Sequence, residues 1–62
     1  MMYLMTHYDY YGEEVEKIVS DNLMKLVDSI PKRPGDVLSM GENSAIAVTV
    51  VGQYIVEEVT QI

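Results

Sequence analysis

The segment GEEVEKIVSDNLMKLVDSI, Gly12 to Ile30, decides how the rest of the chain is read, because no other stretch keeps one apolar rhythm for so long. Val15, Ile18, Val19, Leu23, Leu26, Val27 and Ile30 recur at spacings of three and four, which lines one face of an α-helix. Glu13, Glu14, Lys17, Ser20, Asp21, Lys25 and Asp28 fall on the opposite side. The pattern predicts a single amphipathic helix over Gly12–Ile30. Asp9 is placed to accept a hydrogen bond from the amide of Tyr11 or Gly12 as its N-cap, and Glu13, Glu14 and Glu16 then sit near the positive end of the helix dipole. Glu13 with Lys17, and Asp21 with Lys25, are acid-before-base pairs four residues apart. Pro31 disfavours helical dihedrals at Ile30, and PKRPG reads as a turn, with Lys32 and Arg33 set against the carbonyls of the helix end.

Outside this segment the signals are those of strands. Met1 to Tyr8 is apolar on both alternating sets and fits a strand buried on two faces, a helical extension being the alternative. DVLSM (Asp36–Met40) is a short strand candidate, ended by the turn formers Gly41, Glu42 and Asn43. SAIAVTVV (Ser44–Val51) and YIVEEVTQI (Tyr54–Ile62) are rich in β-branched residues and predict a hairpin turning at Gly52 and Gln53. That hairpin has one face carrying Ile46, Val48, Val50, Ile55 and Val59, expected to meet the helix. Its other face carries Ala45, Ala47, Thr49, Val51, Tyr54, Val56, Glu58 and Thr60, expected to stay open. The fold expected for residues 1–62 is one α+β domain of order β-α-β-β-β, a single helix on a mostly antiparallel sheet of three to four strands.

Composition narrows the function. A chain of 62 residues buries little surface on folding, and this one has no Cys and a single His, so disulfides and the usual zinc sites are not available as staples. Self-association or a larger partner is the remaining common source of stability. Ten acidic and four basic residues give a net charge of −6, which disfavours phosphate backbones and anionic membranes. The longest uncharged run, Asn43–Val56, contains polar residues and falls short of the roughly 20 apolar residues of a membrane span. With no secretion signal recognisable at the N-terminus, a cytoplasmic location is expected.

For catalysis the inventory is short. His7, Asp9, Glu13 and Glu14 form the one constellation that suggests an N/O metal site or a small enzyme, against the plainer reading that Asp9 caps a helix and His7 is a partly exposed ring. No Gly-x-Ser-x-Gly elbow places a serine and no glycine-rich phosphate loop is present. The expectation is a non-enzymatic protein with no cofactor and no metal.

Binding has more support. Tyr3, Tyr8, Tyr10 and Tyr11 cluster near the N-terminus, and tyrosine combines large contact area with a polar tip. Met24 falls on the charged side of the predicted helix, where a flexible thioether suits an adaptable contact. Glu13, Glu14, Asp21, Met24, Asp28 and Tyr10 are the expected partner-binding residues, carboxylates that would imitate phosphates in a basic groove of a protein partner. Thr49, Val51, Tyr54 and Val56, on the face expected to stay open, are the expected homodimer interface. In size and charge, and in no specific motif, the chain is similar to phage-encoded viral inhibitors of host machinery, including anti-CRISPR proteins. The expected function is inhibition or regulation of a larger protein, one that handles nucleic acid; a structural assembly subunit is the alternative from another class.

Overall fold

A computed structural model describes residues 1–31, 33 and 35–59. Six elements follow in order: β1 (Met2–Tyr8), β2 (Glu14–Ser20), α1 (Leu23–Ser29), β3 (Val37–Met40), β4 (Ala45–Thr49) and β5 (Gly52–Val59). All strand pairs are antiparallel, and the sheet runs β2-β1-β5-β4-β3 with α1 on one face. The α+β class agrees with expectation. The strand count does not, because five strands stand where three to four were expected, in the order β-β-α-β-β-β.

The extra strand comes out of the segment predicted as one helix. Gly12–Ile30 divides, with Glu14–Ser20 extended and only Leu23–Ser29 helical. In EVEKIVS three of seven residues are β-branched, and the Met5–Ile18 and Leu4–Val19 pairs put the neighbours Ile18 and Val19 on opposite faces of the sheet. Over seven residues the two periodicities are too alike to separate locally, and pairing with β1 decides between them. The predicted Glu13–Lys17 pair is replaced by an exposed contact between Lys17 Nζ and Glu14 Oε1 at 3.3 Å.

Capping chemistry moves accordingly. Asn22, not Asp9, caps the helix: its side chain accepts from the amides of Met24 (3.0 Å) and Lys25 (3.3 Å). Asp9 instead holds the β1–β2 loop, its Oδ1 accepting from the amides of Tyr11 (2.8 Å) and Glu13 (3.0 Å). Gly12, at φ 85°, supplies the left-handed residue of that loop. At the other end Ile30 is extended (φ −72°, ψ 126°), as expected of a residue before proline. Lys32 and Pro34 lie outside the described residues. The Arg33 amide donates to Asp36 Oδ2 at 3.0 Å, and this turn leads into β3.

The β4–β5 hairpin closes at the Thr49–Gly52 pair, so Val50 and Val51 make the turn expected at Gly52 and Gln53. Gly52 is needed inside the ladder. Its φ is 126°, and a Cβ there would collide with the carbonyl oxygen of Tyr8 and the backbone of Asp9. The Thr49 side chain steadies the turn, accepting from the Val51 amide (3.2 Å) and donating to the Gly52 carbonyl (3.1 Å). The register differs from expectation by an even number of residues, so the division of side chains between the two faces survives.

Which face is covered does not survive. Leu26, Val27 and Ile30 of the helical segment join Tyr3, Met5, Ala45, Ala47, Tyr54 and Val56 in the core, Val56 being fully buried at 0% exposure. The face expected to be open is therefore the one beneath α1. The face expected to meet the helix is uncovered, with Ile46 and Val48 at 47% and 49% exposure. Topology gives the reason. β2 and β3 are the opposite edges of the sheet, about 19 Å apart at the usual strand spacing. The connection containing α1 must cross the whole sheet to join them, and it crosses over the side carrying Met5, Ala45, Ala47, Tyr54 and Val56, with α1 itself nearest β2 and β5.

Candidate functional site

The expected sites separate into four places. Tyr54 and Val56 are buried, so they do not form an interface with another subunit; Thr49 is half-buried in its turn, and Val51 is exposed at the hairpin tip. Glu13, Glu14, Asp21, Met24, Asp28 and Tyr10 are all exposed, but they do not share one helix face. Tyr10, Glu13 and Glu14 belong to the β1–β2 loop and the start of β2, whereas Asp21, Met24 and Asp28 lie at and around α1. The length of β2, about 20 Å for seven residues, stands between the two groups. The carboxylates expected on one side of a single helix thus form two acidic patches.

The His7 constellation is not assembled. His7 stacks on Tyr54, ring centroids 4.1 Å apart and planes 9° apart, and its Nε2 lies 3.3 Å from the Val51 carbonyl oxygen. Asp9 Oδ1 is taken by two loop amides, and Glu13 and Glu14 are exposed on the loop and edge. Among the described residues no group of three or more His, Asp or Glu side chains is placed to hold a metal ion.

Two features remain that can engage another molecule. The first is the open sheet face. By register it carries Leu4, Val19, Ile46, Val48, Ile55 and Val59 across five strands, with Val37 at the β3 edge. Its charged residues are few and of both signs: Lys17 opposite Thr6, Glu57 opposite Leu4, and Glu14 opposite Tyr8. The protein's Cα envelope measures 35 × 22 Å across its two longest axes.

The second is a cleft of about 470 Å³ at the loop end of that face, lined by Tyr8, Asp9, Tyr10, Tyr11, Gln53 and Ile55 among others. Tyr8 and Gln53 pair across β1 and β5, and the loop held by Asp9 sets Tyr10 and Tyr11 beside them. The sequence shows the tyrosine cluster, but Tyr3 goes to the core while Tyr8, Tyr10 and Tyr11 line the cleft. Only the hairpin pairing makes that division. Gln53 and Ile55 were missed as neighbours of the tyrosines, since no local signal links residues so far apart in the chain.

No helix among the described residues is long and apolar enough to cross a membrane. The chain matches no family model, no curated protein and no solved structure.

Proposed function

We propose that this chain is a non-enzymatic protein-binding domain that forms a homodimer through its open sheet face and turns its acidic surface toward a basic partner. The observation that carries this reading is the open face, where Val19, Ile46 and Val48 are exposed and Leu4, Ile55 and Val59 half-buried beside them, behind a sheet with one helix among the described residues to shelter it. An apolar patch of this extent on so small a domain marks a contact surface. A second copy fits it, because the few charges on the face are of both signs although the chain as a whole carries −6. The stacking of His7 on Tyr54 supports binding over catalysis, because the one imidazole is packed against the core ring rather than aimed at a cleft.

With the apolar face engaged, Glu13, Glu16, Asp21 and Asp28 remain for a partner with a basic groove. The role consistent with this is an inhibitor or regulator of a nucleic-acid-handling protein, in the manner of the small acidic phage inhibitors.

Sedimentation equilibrium tests the dimer. Wild-type protein is expected to sediment at twice the chain mass, and the double variant Ile46→Asp with Val48→Asp as a monomer with an unchanged circular dichroism spectrum. A wild-type monomer at high micromolar concentration overturns the dimer. The acidic surface is tested by capture of a basic-grooved partner, expected to weaken with salt and to be lost on Glu13→Lys with Asp21→Lys.

A further inference from the structure

The tyrosine cleft has an occupant that its chemistry specifies. Tyr10 and Tyr11 are 80% and 88% exposed. Aromatic rings usually supply core or interface area, so two adjacent ones left in solvent lack an explanation within the monomer. Their rings meet edge to face, with centroids 6.1 Å apart and planes at 81°, so they present two perpendicular walls. Tyr8 adds a third ring, Gln53 an amide, and Asp9 a carboxylate whose Oδ1 is occupied by loop amides. Asp9 lines the cleft, Glu13 belongs to the same loop, and Glu14 stands opposite Tyr8, where Lys17 pairs with it; no basic residue lies between His7 and Lys17 in the chain.

Perpendicular electron-rich rings beside carboxylates bind a cation. The ring quadrupole attracts positive charge over its face, and the attraction strengthens as the ion loses water. An anion is repelled here by the same carboxylates, and a neutral ligand gains nothing from them.

We propose that this cleft is a seat for the basic side chain, arginine or lysine, of a protein partner, gripped by Tyr8, Tyr10 and Tyr11 and neutralised by the acidic rim. The inference rests on the reading that the partner is basic, and it names the contact through which that partner is held. The guanidinium of arginine suits the seat especially well, since its plane stacks on a ring while its N–H groups reach carboxylate and amide oxygens.

The test is calorimetric titration of the full chain with acetylated hexaarginine, hexalysine and hexacitrulline, the last a neutral near-isostere of the first. The two cationic peptides are expected to bind and hexacitrulline not to. Replacing both rings, Tyr10→Leu with Tyr11→Leu, keeps apolar area and is expected to weaken hexaarginine by about fivefold to tenfold, whereas Tyr10→Phe with Tyr11→Phe stays within about twofold of wild type. Amide NMR shifts on titration are expected to concentrate at Tyr11, Gly12 and Gln53. Equal affinity of the Leu and wild-type proteins, or shifts spread evenly over the acidic surface, overturns the seat. Both tyrosines are on the loop surface, so the variants fold. The same titrations separate the two readings: cationic peptides that bind the wild-type and Leu proteins alike sink the seat and leave the basic partner standing, whereas peptides that bind neither protein sink both.

Discussion

The two faces of the sheet come from the same strands and differ in almost everything else. Beneath α1, alanines alternate with Tyr54 and Val56, and Leu26, Val27 and Ile30 close over them. On the far side Ile46, Val48 and Val19 are larger and more hydrophobic than the alanines, yet they stay exposed. Hydrophobicity of the residues therefore does not say which face a helix takes; the room left above the sheet does. On the covered face α1 lies nearest β2 and β5, and the short side chains of β4 leave room there for Ile30 and the chain that leads on to β3.

That contrast is open to direct attack. The harshest test places a charge on each side. Val56→Asp buries an unpaired carboxylate in the core and is expected to abolish the cooperative thermal transition, since a domain of this size has only roughly 3–9 kcal/mol to lose. Val48→Asp on the open face is expected to leave the monomer folded and change only its association. Truncation comes next: Leu26→Ala should cost about 2–4 kcal/mol at every protein concentration, read from urea unfolding. Ile46→Ala should cost much less, and only at concentrations where copies associate. Equal, concentration-independent losses at Leu26 and Ile46 would show that the two faces are not different in kind.

Smaller effects sharpen the account of how the covered face is built. Gly52→Ala should cost about 2 kcal/mol or more, because its backbone conformation is strained for alanine and the added methyl meets the Tyr8 carbonyl. Asn22→Ala should cost about 1 kcal/mol through the lost helix cap, against no change in the cap from Asp9→Ala. Glu14→Gln, which weakens only the exposed pair with Lys17, should fall below about 0.5 kcal/mol.

Much of this architecture was legible in the residues. β1, β3, β4 and β5 stand close to where β-branched runs and turn formers put them, and Pro31 ends the helical segment through Ile30. The misread element was Glu14–Ser20, where Val15, Ile18 and Val19 satisfy a helical spacing as well as a short strand, and with it went the helix cap; the hairpin turn also falls at Val50 and Val51, earlier than expected. The candidate site was less legible. Exposure of the six expected partner-binding residues followed from their polarity, but their grouping on one stripe depended on the helix that β2 replaced. The dimer surface failed at Tyr54 and Val56 because a correct partition of faces carries no information about which one is roofed.

The sequence by itself determined the class of fold, most of the strands, the stop at Pro31 and the partition of side chains between two faces, because these depend on dihedral preference and on a period of two along each strand. Only the tertiary structure decided that Glu14–Ser20 pairs with β1, that α1 crosses over the alanine side, and that Tyr8, Tyr10 and Tyr11 meet Gln53 in one cleft. Each of those choices turns on contacts between residues distant in the chain, where the competing arrangements differ in packing and not in local propensity.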